Sequence, residues 1–313
     1  MKRDPLRVVT LADDAYAMPL AVMVRSLLEN HRPGRALQLT VIDGGISSEA
    51  RGRLEASWRD RADQIGASWR FVPPSFSTAE DLPVWGRVPR LSYARIALDD
   101  YFTGGRVVLL DSDTLVLTDL SPLHDVDLEG AIAGATRDPY IPVVSAIDGL
   151  AKWRELDLPP QTPYFNCGVM TVDVDAWIEN RVTSRAFDYV GCNGSDLRQY
   201  DQDAVNVVLV KQWKELDGRW QAHPRTRWAV GRPTVHDPWI VHFSGRLKPW
   251  AYQAGTELDR LFFEYLGRTA WRGFRPPRSL AALALQCYDS PLRRILYPLE
   301  TRLLPWKRRL ELS

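Results

Sequence analysis

The chain has 313 residues, 45% of them hydrophobic, and a formal net charge of +1. That length and apolar content suffice for one large buried core or two joined ones, which excludes a disordered chain, and the balanced charge argues against a surface built for nucleic acid. Cys167, Cys192 and Cys287 form no C-x-x-C pair, so neither a disulfide framework nor a zinc site is expected and a reducing cytoplasm fits.

In chain order, Leu6 to Leu11 reads as a buried strand. The acidic pair Asp13 and Asp14 follows too closely for a signal peptide, and no apolar run approaches the roughly 18 residues of a membrane span. Tyr16 to His31 carries Leu20, Val24, Leu27 and Leu28 at helical spacing before a Pro33-Gly34 stop. Leu37 to Ile42 is a second strand, Ser47-Ser48-Glu49 opens a helix through about Arg61, and Ser68 to Val72 is a third strand. Strands alternating with helices imply parallel pairing, so these residues read as half of a Rossmann-like sheet. Val107 to Leu110 is a strand apolar on both faces, Ala131 to Ala135 another, and Tyr164 to Val172 a third that leads into a helix from Val174 to Asn180. A further helix follows Asp201-Gln202-Asp203, and Trp239 to Phe243 reads as a last core strand.

The strand at Val107 stops on Asp111-Ser112-Asp113. Side chains two apart in an extended segment share a face, so the two carboxylates could hold one hard cation, whose open positions substrate phosphates commonly fill. The alternative is a solvated, side-chain-capped turn. Ligands of open α/β sheets sit beyond the carboxyl ends of the strands, where Ala12-Asp13-Asp14 and Asp111-Ser112-Asp113 both fall. No G-x-G-x-x-G or P-loop follows a strand, so metal rather than a glycine nest would have to neutralise phosphate.

Six segments in order resemble glycosyltransferase family 8, the retaining sugar-nucleotide transferases that include lipopolysaccharide galactosyl- and glucosyltransferases and glycogenin. They are Leu11-Ala12-Asp13-Asp14-Ala15-Tyr16, Ser92-Tyr93-Ala94-Arg95, Leu110-Asp111-Ser112-Asp113, Tyr164-Phe165-Asn166-Cys167-Gly168-Val169, Tyr200-Asp201-Gln202-Asp203 and His242 through Trp250. The resemblance spans about residues 6 to 265 and implies a GT-A fold, a single Rossmann-like mixed sheet flanked by helices.

It also implies roles. Asp111, Asp113 and His242 match metal positions, and two carboxylates with one imidazole suit Mn2+, with Mg2+ the alternative. Lys248 would meet the diphosphate, with Gly245 letting backbone approach it and Arg95 beside the diphosphate sugar. Ala12, Asp13, Tyr16 and Ser112 match the nucleotide-binding edge; family members often carry Asn where this chain has Ala15. Asn166, Asp201 and Gln202 match the sugar pocket and reaction centre. On the residues alone, His242 could be a satisfied strand-end histidine, Tyr16 a core aromatic, Arg95 a surface residue of a helix that buries Ile96 and Leu98, and Asp203 either a second carboxylate of the reaction centre or a helix N-cap.

The implied activity is a Mn2+-dependent transfer of galactose or glucose from UDP-galactose or UDP-glucose to a glycan acceptor. A lipid-linked acceptor in cell-surface polysaccharide synthesis leads, with extension of protein-O-linked glycans as the alternative. A nucleotidyltransferase or pyrophosphatase would not need the His242 to Trp250 segment, and a non-catalytic saccharide-binding module would not need a phosphate-neutralising set. A catalytic domain over 1–265 and a basic extension over 266–313 are expected. Residues 271–313 hold nine Lys/Arg against three Asp/Glu, and Leu292, Ile295, Leu296, Leu299 and Leu303 recur at helical spacing. That pattern fits either peripheral contact with the inner face of an anionic membrane or a helix docked on the domain. Asp138 to Pro163 is expected to form part of the acceptor pocket.

Overall fold

The computed structural model describes residues 4–76, 82, 90–224, 235–245, 248–252 and 256–288, with side chains through residue 284. The first half alternates as expected: β1 (Leu6–Ala12), a 3-10 turn at Asp14–Tyr16, α1 (Ala17–Asn30), β2 (Leu37–Asp43), α2 (Ser48–Ile65) and β3 (Ser68–Val72). Local chemistry sets the boundaries. The Ser47 hydroxyl caps α2 by accepting the Ala50 N–H, and Gly66, at φ 67°, ends it in the left-handed region.

Around Arg95 the chain forms a 3-10 helix at Arg90–Arg95 rather than one helix that also carries Ile96 and Leu98, and α3 (Leu98–Tyr101) is a single turn. Leu91, Ser92, Tyr93 and Ala94 are buried in succession, so the segment packs on every side and has no free face for an amphipathic helix. Ile96 and Leu98 are buried, as the spacing predicts.

Next come β4 (Arg106–Leu110), β5 (Thr114–Val116), α4 (Ser121–His124), β6 (Ala133–Arg137), β7 (Phe165–Asp173), α5 (Val174–Glu179), α6 (Val182–Asn193), α7 (Asp201–Val208) and β8 (Trp213–Glu215). After them lie β9 (Ile240–His242), α8 (Glu257–Leu266) and α9 (Leu280–Tyr288). The main sheet runs β3-β2-β1-β4-β7-β6-β8. Its pairs are parallel except those of β7, which is antiparallel to both β4 and β6. The fold is therefore α/β with a mixed, mostly parallel sheet between helices, as expected.

Strand alternation divides the core in two. Val108 and Leu110 face a cluster with Leu20 and Leu27 of α1 and Trp58 of α2, while Val107 and Leu109 face Trp177 of α5, Ala186 of α6 and Val205 of α7. Each such buried Val or Leu side chain contributes about 1.5–3 kcal/mol. Leu266 and Trp271 pack into the first cluster as well, so the core continues past α8.

Trp239 to Phe243 does hold a buried core strand, β9, but the single sheet expected needs correction: β9 pairs antiparallel with β5 in a separate two-stranded sheet, His242 opposite Thr114. With only three residues, β9 is too short to span the core, yet it is fully covered. Nor is Asp111 to Asp113 extended. Thr114 N–H bonds Asp111 O at 3.1 Å, closing a turn between β4 and β5. The stripe Leu292, Ile295, Leu296, Leu299 and Leu303, with Trp306, lies outside the described residues. Among the described residues no helix is long and apolar enough to cross a membrane.

Candidate active site

β1 and β4 are parallel neighbours, so Ala12 and Asp13 end beside Asp111. β7 runs the other way, which brings its early residues Asn166 to Gly168 to the same edge: Asp111 N–H bonds Gly168 O at 2.8 Å. A cavity of about 180 Å3 opens there, lined by Ala12, Asp13, Tyr16, Arg95, Asp111, Ser112 and Asp113 among others. The structure thus gathers seven of the expected site residues around one cleft.

The turn after β4 and the β5–β9 pairing determine the cation geometry. His242 stands opposite Thr114, and Phe243 N–H bonds Asp113 O at 3.0 Å, so the imidazole faces the acidic turn. His242 Nε2 lies 3.5 Å from Asp111 Oδ2 and 3.2 Å from Asp113 Oδ1. Ligand atoms about 2.1 Å from a shared ion sit roughly 3–4 Å apart, so this spacing fits a divalent cation. His242 is buried, and its Nε2 has no hydrogen bond with acceptable geometry. A buried polar atom left so is costly unless something else binds it, and a cation between the two carboxylates would do so.

Lys248 completes this corner, its Nζ bonded to the Asp113 carboxylate and, at 2.7 Å, to Phe243 O. Burial opposes ionisation of both partners, but Lys248 and His242 hold the Asp113 carboxyl well below the usual carboxylate range, and Asp113 holds the Lys248 ammonium above its own. Lys248 Nζ is also 5.8 Å from the Tyr16 ring centre. Tyr16 is half-buried, its ring nearly perpendicular to that of Trp250 at 6.2 Å between centres, and its phenol is pushed up by burial. It therefore both packs on the core and lines the cleft. The Asp13 carboxylate accepts the Tyr16 N–H and fixes the turn between β1 and α1. Gly245 has φ 76°, a conformation other residues resist.

Arg95 is not a surface residue. Its guanidinium pairs with Asp111 Oδ1 at 2.8 Å and Asp201 Oδ2 at 3.1 Å, and donates to Cys167 O at 3.3 Å. It bridges the acidic turn and the start of α7. Burial pushes the Asp201 carboxyl up, and Arg95 offsets part of that. Gln202 Oε1 accepts the Cys167 N–H at 3.1 Å, and Gln202 Nε2 donates to Asp138 Oδ2 at 3.2 Å. Asp203 is no N-cap. Buried in the first turn of α7, it accepts the Tyr164 hydroxyl and the Arg198 and Gln199 N–H groups. Burial pushes the Cys167 thiol well up, which leaves it inert.

Three residues of this site had no role of their own in the sequence reading, although Gly168 lies in one of the six segments and Asp138 opens the segment expected at the acceptor pocket. Asp138, just past β6, accepts from Tyr140 N–H, Ile141 N–H, Asn166 Nδ2 and Gln202 Nε2. Gln221 reaches both Asn166 Oδ1 and His242 Nδ1. Gly168 has no room for a side chain: a Cβ there would overlap the His242 ring and stand 2.8 Å from Asp111 Oδ2. A lone glycine inside an apolar strand signals such a close approach, so Gly168 could have been found. Asp138 and Gln221 are single polar residues without a motif of their own.

Similarity to known proteins gives the family and the fold. General stress protein A of Bacillus subtilis is 29% identical over 297 residues, covering 88% of this chain and 99% of that protein. Glycosyltransferase GlyF of Streptococcus pneumoniae is 23% identical over 82% of this chain and 60% of its own length. Lipopolysaccharide 1,2-glucosyltransferase of Escherichia coli K12 is 25% identical over 46% of this chain and 44% of that protein. Among solved structures, the galactosyltransferase LgtC in complex with donor and acceptor sugar analogs superposes with a TM-score of 0.72 at 25% identity, over 86% of this chain and all of that one. The model of glycosyl transferase family 8 matches residues 7–254, and the chain belongs to that family.

Proposed function

We propose that this chain is a Mn2+-dependent retaining hexosyltransferase that moves galactose or glucose from a UDP-sugar to a saccharide hydroxyl in cell-surface glycan synthesis. The observation that carries this reading is His242 Nε2, buried without a hydrogen bond between Asp111 and Asp113, with Lys248 alongside in the cleft. Support for the substrates comes from the E. coli relative, a lipopolysaccharide glucosyltransferase by name, and from LgtC, described with donor and acceptor sugar analogs.

When bound to Asp111, Asp113 and His242, the cation supplies Lewis-acid neutralisation of the departing diphosphate. Lys248 adds a second positive charge at the same corner, which favours developing negative charge in a dry pocket. Asp13 and Tyr16 hold uracil, Ser112 and the Gly245 backbone approach ribose and phosphate, and Arg95 orients the sugar together with Asp201. Gln202 is a neutral amide and a poor nucleophile. The carboxylates around it are committed, Asp201 to Arg95, Asp203 to the Tyr164 hydroxyl and two backbone N–H groups, and Asp138 to four N–H donors. Front-side attack by the acceptor hydroxyl beside the leaving group therefore accounts best for retention, with Asn166 and Gln202 stabilising positive charge on the sugar. We place the acceptor against residues 138–163 and assign the basic segment after residue 266 to contact with an anionic membrane surface.

UDP release from UDP-galactose and UDP-glucose, with Mn2+ or with chelator and with and without saccharide acceptors, tests the reading. Release that chelator abolishes and that Asp113→Asn lowers by about 10²-fold or more is expected. Metal-independent release, or none from either donor, would overturn it.

A further inference from the structure

We propose that Gln221 is the positioning residue for His242, and that its side-chain amide couples the cation site to the sugar pocket through Asn166. This rests on the assignment of Asp111, Asp113 and His242 to the cation. Gln221 is buried in a 3-10 helix, Gly218–Gln221, between the Tyr200–Asp203 and His242–Trp250 segments and in neither. The backbone delivers it: Ala222 N–H bonds Ile240 O at 2.9 Å and His242 N–H bonds Ala222 O at 2.8 Å, so this segment runs beside β9 and aligns Gln221 with the imidazole.

The polarity of the contacts follows from groups that cannot change theirs. Asn166 Nδ2 donates to the Asp138 carboxylate at 2.8 Å, and Asn166 Oδ1 accepts the Gly168 N–H at 2.9 Å. Asn166 Oδ1 therefore faces Gln221, which answers with its NH2. The Gln221 amide also lies 2.8 Å from His242 Nδ1, and its Oε1 accepts the Thr136 hydroxyl at 2.8 Å. With all partners buried, the imidazole has little freedom to turn Nε2 away from Asp111 and Asp113.

An imidazole that binds a cation through Nε2 carries its proton on Nδ1 and needs an acceptor there. Gln221 can provide one by turning its amide over, because Thr136 Oγ1 accepts as readily as it donates. That turn withdraws the NH2 from Asn166, so the ring's protonation pattern is communicated to a residue of the sugar pocket. A leucine can make neither contact. A glutamate offers only acceptors, which suits the cation-bound ring and raises the basicity of Nε2, while it repels Asn166 Oδ1.

The test is a Mn2+ titration of the full chain, followed by the electron-spin signal of free Mn2+, for wild type, Asp113→Asn, Gln221→Leu and Gln221→Glu, with thermal melts to establish folding. Expected are binding by wild type, its loss in Asp113→Asn, binding weakened about 10–100-fold in Gln221→Leu and tightened at least about threefold in Gln221→Glu. UDP-sugar turnover by Gln221→Glu should nevertheless fall, because Asn166 is displaced. A folded Gln221→Leu that binds Mn2+ as wild type does, or a Gln221→Glu that binds no tighter, overturns the role of Gln221 and leaves the cation site standing. If Gln221→Leu does not fold, Gln221→Glu decides alone. Wild type that binds no Mn2+ overturns the cation site, and with it this inference.

Discussion

Lys248 and Asp113 are each taken out of water and each ionised because of the other. Removing one charge of a buried pair strands its partner, at a cost of about 3–5 kcal/mol. Lys248→Met should therefore lower the melting temperature in chelator, and Mn2+ should narrow the gap to wild type by giving Asp113 a new counter-charge. An equal gap in both conditions would remove the cation from this corner. Turnover of UDP-sugar by the variant should fall about 10²–10³-fold. Asp203 supplies a pH prediction free of the cation. Burial raises its carboxyl from an ordinary value of 3.8 to about 6, although Gln199 and Arg198 N–H and the Tyr164 hydroxyl pull it down. Between those values the folded chain keeps a proton that the unfolded chain has released, so this group's contribution falls as pH rises from about 4 to 6, by up to about 3 kcal/mol. Urea unfolding across that window should show wild type losing stability relative to Asp203→Asn, and parallel curves would refute the shift. At this scale the motifs made most of the site legible: Asp111, Asp113, His242, Lys248, Asp13, Tyr16 and Arg95 do meet. The contacts of Asp138, named only as the start of the acceptor segment, and Gln221 altogether were not legible, because each acts through partners that only the fold brings near, Gln221 being 55 positions from Asn166.

Among the elements, β7 carries most of the arrangement. Its antiparallel direction brings Asn166 and Gly168 to the cleft, and its middle lies between the two cores. Strands buried on both faces were easy to read as strands, since β1 and β4 are nearly continuous apolar runs and β2 and β7 are rich in Val, Leu, Ile, Phe and Met. Their direction was not, because such a run has the same pattern either way along the sheet. The three-residue strands β5, β8 and β9 carry too few residues for periodicity, so the pairing that turns His242 toward the aspartates was invisible. Gly168→Ala tests that packing. Its added methyl meets the His242 ring and the Asp111 carboxylate, so Mn2+ affinity should fall along with a stability loss of about 1–3 kcal/mol. Gly134→Ala in β6 is the control, because its methyl would meet Leu128, Leu216 and the Thr171 methyl at 3.0–3.1 Å, away from the acidic turn. It should cost stability and leave Mn2+ affinity alone, and two variants with the same profile would mean that Gly168 serves packing only.

Over the whole molecule, charge is divided unevenly. Residues 1–270 hold 31 Lys/Arg against 36 Asp/Glu, whereas residues 271–313 hold nine against three. A mildly acidic body is repelled by an anionic bilayer, so any attraction must come from the basic end, at about 1 kcal/mol for each base near the surface. The described part of that end already presents apolar side chains to solvent: Leu280 is 86% exposed and Leu283 54% exposed on α9. Apolar contact and basic charge together give stable but salt-sensitive attachment, whereas either alone gives weak binding. The full chain should therefore sediment with vesicles containing phosphatidylserine, stay in solution with purely zwitterionic vesicles, and be released as salt rises from about 0.1 to 0.5 M. Replacing Leu280 and Leu283 together by serine should weaken sedimentation at low salt without changing UDP release from a soluble acceptor, because neither side chain belongs to either core cluster. Partition that ignores both lipid charge and salt would assign the basic end to packing against the domain instead.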